Sequence, residues 1–94
     1  MPKYVNYQVA GYWLYYTSSC LNEGIVHVHA NKPTTVRKGS TKIWVHSDGT
    51  STVVEPTNIR KSDLLIIQNW IYANFELICT TWNSYGLPYD FKHN

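Results

Sequence analysis

The sequence is poor in charged residues: Asp, Glu, Lys and Arg make up only 15% of its 94 residues, against about 25% in typical soluble domains. The net charge is +2, which is too small to indicate a nucleic-acid partner by itself. Aromatic residues are abundant instead, with eight Tyr and four Trp. Few charges and many aromatic side chains are typical of protein–protein interfaces. We therefore expect a homo-oligomer or a small protein partner.

Three further absences narrow the class of protein. No apolar run is long enough to cross a bilayer, and no apolar leader segment follows Lys3, so we expect a cytoplasmic protein without membrane contact. The two cysteines, Cys20 and Cys79, are then expected as reduced thiols. The sequence has no phosphate-binding glycine loop, nucleophile elbow or CxxC pair. It therefore predicts no cofactor, and it favours a non-enzymatic role while leaving catalysis open.

The strongest structural signal is one long amphipathic helix, predicted over residues 63–84. Ser62 is a suitable N-cap, and Gly86 followed by Pro88 is a typical stop signal. Apolar residues spaced by three or four define the face expected to cover a sheet: Leu64, Ile67, Ile71, Phe75, Ile78 and Trp82. A second apolar row is not needed for that packing, and we predict it as an interaction surface: Ile66, Trp70, Ala73 and Leu77.

Short apolar or alternating runs predict about five strands within residues 4–55, at 4–10, 12–16, 25–30, 41–46 and 50–55. Residues 17–24 read as a polar loop, and Asp48-Gly49 predicts a tight hairpin. Short connections favour sequential pairing. We therefore predict a single α+β domain over residues 1–94, an antiparallel β-meander of about five strands covered on one face by a single long C-terminal helix. Residues 86–94 are expected to form a loosely held tail.

The pair His27 and His29 carries most of the chemical information. Alternate residues of a strand point to the same face, so both imidazoles are expected to project together. Such a pair can serve as acid and base toward a phosphodiester, and with His46 it is a weak candidate metal site. No further ligand is evident at a workable spacing, since Glu23 and Asp48 lie in predicted loops. A structural or partner-contacting role for the histidines is therefore favoured over both catalysis and metal binding.

A basic segment offers a weaker alternative. Lys32, Arg37 and Lys38 fall in the predicted loop 31–40, and Lys42 follows it. These cations could contact phosphates while aromatic residues stack on bases, the candidates being Trp13, Tyr15 and Trp44. With so small a net charge, nucleic acid stays a weakly supported partner.

Several short motifs together give the sequence a family likeness. The runs YWLYY, HVHA and TKIWV precede Ser62-Asp63-Leu64, which opens the predicted helix, and Trp82 and Tyr85 lie near its end. On these residues the chain resembles a bacterial family named domain of unknown function 4160, whose most specific element is the His-x-His strand. The resemblance implies a partnered bacterial protein whose genes are similar to toxin–antitoxin or regulatory modules, and it makes His27 and His29 the positions to test.

Three functions of different classes stay open at this point. The sequence favours a small protein–protein interaction module of toxin–antitoxin or regulatory type. One alternative is a ribonuclease-like toxin that uses His27 and His29, and another is a protein that binds a metal through histidines. Because the histidines lack carboxylate partners, both alternatives are less well supported than the interaction module.

Overall fold

A computed structural model describes residues 2–32 and 40–93. Within them the chain forms a four-stranded antiparallel sheet in which sequence neighbours pair, β1-β2-β3-β4. In chain order the elements are β1 (Trp13–Tyr15), α1 (Ser18–Glu23), β2 (His27–Asn31), β3 (Thr41–Val45), β4 (Ser51–Val53), α2 (Lys61–Ala73) and α3 (Phe75–Asn83). The α+β class is confirmed. The described residues contain four strands instead of about five, and more than one helix.

Residues 4–10, predicted as the first strand, do not form one. Isolated antiparallel bridges hold the segment near its two ends: Lys3 with Tyr15 and Val9 with Tyr12. Ala10 and Gly11 both have positive φ, 54° and 84°, as in the two-residue turns that reverse a hairpin. Between the bridges the chain bends, and the hydroxyl of Tyr7 accepts a hydrogen bond from Trp70 Nε1 at 3.1 Å. The contact with α2 replaces the strand pairing that the alternation predicted.

Residues 17–24, predicted as a loop, contain helix α1. The hydroxyl of Thr17 caps it by accepting a hydrogen bond from the Cys20 amide at 3.2 Å. Gly24 ends it with φ 73°, and its amide donates to the Cys20 carbonyl. A helix of six residues is too short to be stable alone or to show periodicity. It is held by these caps and by burial of Cys20 and Leu21.

The C-terminal helix is divided at Asn74, so the prediction of a single helix over residues 63–84 is wrong in this respect. Asn74 has φ −113° and ψ 26°, and both its backbone N–H and its side-chain amide donate to the Trp70 carbonyl at 2.9 Å. Asn is a residue whose side chain competes for backbone groups in this way. The predicted apolar face continues across both helices and is buried or half-buried: Leu64, Ile67, Ile71, Phe75, Ile78 and Trp82.

The apolar core lies between this helical layer and one face of the sheet. The inward residues of the two central strands are fully buried: Val28, Ala30, Ile43 and Val45. They share one apolar cluster with residues of α2 and α3 such as Ile71 and Ile78. Strand alternation therefore turns His27 and His29 toward the opposite face. In the described part of the chain, no helix has the length and apolarity needed to cross a bilayer.

The segment after α3 is bonded to the sheet, in place of the loosely held tail expected over residues 86–94. The amide of Asp90 donates to the Gly24 carbonyl at 2.7 Å, and the Val26 amide donates to the Asp90 carbonyl at 3.0 Å. Tyr89 and Phe91 pack against the core. These contacts fix the segment beside the connection between α1 and β2.

Candidate functional site

His27 and His29 lie side by side on the face of β2 opposite the apolar core, with ring centres 4.9 Å apart. His27 is only 1% exposed, and its ring lies edge-on to Trp44 at 5.4 Å and to Trp82 at 6.2 Å. His29 is half-buried and stacks on Tyr15 at 5.3 Å. The two imidazoles are therefore together, as the alternation predicts, but most of their surface is covered.

The hydrogen bonds of the two rings define which nitrogens stay available. His27 Nδ1 lies 2.7 Å from the Ile25 carbonyl oxygen. Because a carbonyl only accepts, Nδ1 carries the hydrogen and the lone pair is on Nε2. His29 Nδ1 lies 3.3 Å from Ser40 Oγ. Within residues 2–32 and 40–93, the hydrogen bonds of both rings engage Nδ1 and leave Nε2 as the nitrogen for a ligand.

Burial also determines the charge of the pair. It lowers the pKa of His27. Burial, together with the neighbouring His27 and the Lys42 ammonium, lowers the pKa of His29 to about 4. Both imidazoles are therefore neutral near pH 7, which is the form that binds metal ions.

A thiol completes the cluster of potential ligands. Cys20 Sγ and imidazole nitrogens of His27 and His29 all lie within 4.8 Å of one another. Cys20 is 3% exposed and is not in a disulfide. The sequence alone does not bring Cys20 to the histidines, because residues 17–24 read as a polar loop away from the strand. The signal that points to it is the spacing C-x₆-H-x-H.

His46, the third histidine of the predicted metal set, is not part of this cluster in the described chain. Its Nδ1 is hydrogen-bonded to the Lys92 carbonyl at 2.5 Å, and its Nε2 to Thr52 Oγ1 at 2.7 Å. With both ring nitrogens engaged, His46 joins β3 to β4 and to the C-terminal segment. Cys20 occupies the position in the ligand set that was expected of His46.

Charged groups lie at the border of the site. Lys42 Nζ is 3.6 Å from Glu23 Oε1 and 4.1 Å from the centre of the Trp44 ring. Of the basic residues considered for phosphate contact, Arg37 and Lys38 fall outside the described residues. A phosphate at Lys42 would lie close to the Glu23 carboxylate, whose like charge opposes its binding.

The second apolar row of the predicted helix is divided by the structure. Ile66 and Ala73 are exposed on α2, whereas Trp70 and Leu77 are half-buried and pack against the core. The hydrogen bond from Trp70 Nε1 to Tyr7 covers part of the indole further. Of these four residues, Ile66 and Ala73 therefore offer the free surface.

Further exposed apolar side chains adjoin Ile66 and Ala73. Leu65 is 61% exposed and Tyr72 is 62% exposed. At about 100° per residue, these positions fall in one sector of roughly 120° with the exposed Asn69 at its centre. We name this surface the α2 stripe: Leu65, Ile66, Asn69, Tyr72 and Ala73.

Fold and sites together define a small α+β domain in which helices cover one face of a four-stranded antiparallel meander and a Cys-His-His cluster lies where α1 meets β2. A family model described as domain of unknown function (DUF4160) matches residues 11–83. The chain therefore belongs to this family, which confirms the resemblance, and both the cluster and the α2 stripe lie inside the matched region. No curated protein and no solved structure matches the chain.

Proposed function

We propose that this chain is a protein–protein interaction module of toxin–antitoxin or regulatory type, which acts in the bacterial cytoplasm and binds through the α2 stripe. The observation that supports the proposal is exposure on a single helix: Leu65, Ile66 and Tyr72 present 61%, 50% and 62% of their surface to solvent. Grouped apolar side chains of this size are typical of binding surfaces, because their hydration is unfavourable.

The chemistry of the stripe favours a second copy of the chain as the occupant. From Leu65 to Ala73 its members are apolar apart from Asn69, and none is charged. A two-fold contact brings such a surface against itself without like-charge repulsion and without burying an unpaired charge. The two Asn69 amides, at the centre of the stripe, can pair across the axis.

The expected association is weak and exchangeable. Burying the exposed parts of Leu65, Ile66 and Tyr72 on both copies contributes about 6–9 kcal/mol. Lost translational and rotational freedom opposes association by about 4–15 kcal/mol. The net free energy of dimerisation is therefore small. One copy of such a dimer can be replaced by another protein, as an interaction module requires.

Light scattering coupled to size exclusion tests self-association. We expect the wild-type mass to rise from one chain toward two with concentration, and Ile66→Glu to remain a single chain because a buried carboxylate has no partner there. Leu87→Glu is the matched control, since Leu87 is 44% exposed but lies outside α2. It should associate like the wild type, with circular dichroism confirming the fold of both variants.

A wild-type chain that stays monomeric at every concentration would contradict the second copy as occupant. The stripe would then be tested against a different protein by co-expression with the products of the neighbouring genes. Co-purification with the Leu87→Glu variant but not with Ile66→Glu would support that form of the proposal. Equal behaviour of the two variants in both experiments would rule the stripe out.

The ribonuclease-like alternative gains no support from the histidine pair. General acid–base catalysis requires a protonated group within reach of the substrate. His27 is 1% exposed, and the pKa of His29 is lowered to about 4, so neither supplies a proton near neutral pH. Loss of RNA cleavage in a His27→Ala, His29→Ala double variant, compared with an active wild type, would reverse this assessment.

A further inference from the structure

We propose that Cys20, His27 and His29 form a binding site for zinc or a similar divalent transition ion, with three ligands from the chain and the fourth position open to solvent. The carrying observation is that the three ligand atoms lie within 4.8 Å of one another. The ligands lie on α1 and β2 and none lies on α2, so the site is independent of the α2 stripe.

The spacing of the ligand atoms is close to what a metal ion requires. Zinc binds thiolate sulfur at about 2.3 Å and imidazole nitrogen at about 2.0–2.1 Å. In tetrahedral geometry these lengths place pairs of ligand atoms about 3.3–3.6 Å apart. Closing the cluster from its present spacing therefore takes roughly 1 Å of movement, which side-chain rotation can supply.

The hydrogen bonds of the imidazoles orient them for this role. Histidines that bind metals usually donate their other N–H to a carbonyl or a similar acceptor, which fixes the ring and leaves one nitrogen for the ion. His27 does so with the Ile25 carbonyl at 2.7 Å. His29 Nδ1 is placed to do so with the Ser40 hydroxyl at 3.3 Å.

The elements that carry the ligands are held in place before any ion binds. β2 is paired on both sides, with β1 and with β3. α1 is fixed by its Thr17 cap and by the left-handed Gly24, where a Cβ atom would lie 3.2 Å from the Pro88 carbonyl oxygen. Only two residues separate Gly24 from His27. Folding alone therefore brings Cys20 to the strand, so that little conformational entropy is lost when an ion binds.

The ligand set selects the class of ion. One thiolate with two imidazoles favours zinc and other borderline or soft transition ions over Mg²⁺ and Ca²⁺, which prefer oxygen. The nearby carboxylate of Glu23 is paired with Lys42 at 3.6 Å. Cys20 and His27 are almost enclosed, so the fourth position opens on the side of the half-buried His29.

Cobalt titration of the full-length, untagged, chelator-treated protein tests the site. We expect one equivalent of Co²⁺ to bind with a thiolate-to-cobalt charge-transfer band, and Zn²⁺ to displace it. Cys20→Ser should abolish the band, and His29→Gln should weaken binding by more than the roughly 10–100-fold typical of losing an outer hydrogen-bond partner. Cys79→Ser and His93→Ala remove the same residue types outside the cluster and should bind like the wild type.

Thermal unfolding provides the second measurement, in case a variant is destabilised. Zinc should raise the wild-type melting temperature, because it binds the folded chain, and should leave that of Cys20→Ser unchanged. A charge-transfer band that survives in Cys20→Ser, a band lost in Cys79→Ser, or no band in the wild type would each overturn the proposal. Ile66→Glu should bind cobalt normally, which separates this test from that of the α2 stripe.

Discussion

The two faces of the sheet are built by alternate residues of the same strands, and their environments differ sharply. In β2, Val28 and Ala30 are completely buried beneath the helical layer. Between and beside them, His27 and His29 turn the other way, where Trp44 and Trp82 contact the His27 ring and Tyr15 stacks on His29. A domain of this size closes one apolar core with one helical layer. The second face is then available for polar groups, and these are buried where other segments reach them, as His46 is by Thr52 and Lys92.

The largest difference in the effect of a substitution on the free energy of unfolding is expected between adjacent residues of β3. Ile43 is 0% exposed on the core face, so Ile43→Ala should lower the free energy of unfolding by about 2–5 kcal/mol through lost burial and a cavity. Lys42→Ala, one residue away on the other face, should cost about 1 kcal/mol or less, since it removes a surface ion pair and a cation–π contact. Urea unfolding measures both.

Similar losses in the two variants would contradict the assignment of stability to the core face. Ile43→Val is the intermediate control, and it should cost about 0.5–1.5 kcal/mol because less volume is removed. A loss of unfolding free energy that increases from Ile43→Val to Ile43→Ala would show that the effect comes from burial.

A buried tyrosine joins α3 to the backbone of β2, and removal of its hydroxyl is expected to have the next largest effect on stability. Tyr4 accepts a hydrogen bond from Trp82 Nε1 at 2.7 Å and donates one to the His27 carbonyl at 2.9 Å. Burial raises the pKa of Tyr4, so the hydroxyl keeps its hydrogen and serves both partners. Tyr4→Phe leaves a buried donor and acceptor unpaired and should cost about 2 kcal/mol. Tyr72→Phe, at an exposed tyrosine, should cost almost nothing.

Periodicity was sufficient to predict the core face. The row from Leu64 to Trp82 is buried or half-buried as expected, because apolar spacing of three and four is a local property of the sequence. The pairing of neighbouring strands also followed from short connections. Asn74 shows the limit of this reasoning, since its hydrogen bonds to Trp70 end α2 without changing the spacing of the apolar residues.

The other face could not be predicted to the same extent, because it depends on tertiary contacts. The sequence places His27 and His29 together, since strand alternation is local. It does not place Cys20 over them, because α1 is a short helix held by its caps and by burial. It also does not separate His46 from the pair, since that follows from hydrogen bonds to Thr52 and to the distant Lys92.

A pH titration of the metal-free protein tests how closely α1 covers the histidine face. The pKa of His29 is about 4 in the folded chain and about 6.5 when unfolded. Protons therefore bind the unfolded chain more readily between these values, so the full stability is present above pH 6.5 and is lost as the pH falls toward 4. For a partly exposed ring we expect a loss of about 1–2 kcal/mol. His29→Gln should flatten this part of the profile, and an unchanged slope in that variant would contradict burial of the ring.

The smallest expected effect concerns the ion pair at the edge of the same face. Glu23 Oε1 lies 3.6 Å from Lys42 Nζ, and the Glu23 side chain is 53% exposed. Because water and salt screen such a pair, Glu23→Gln should change the free energy of unfolding by less than about 0.5 kcal/mol. The change should shrink further at high ionic strength, whereas the cost of Ile43→Ala should not, since burial of an apolar side chain involves no charge. Unfolding of both variants at low and high salt measures this contrast. A loss in Glu23→Gln comparable to that of Ile43→Ala would mean that α1 is held to the sheet mainly by charge, and not by the burial of Cys20 and Leu21.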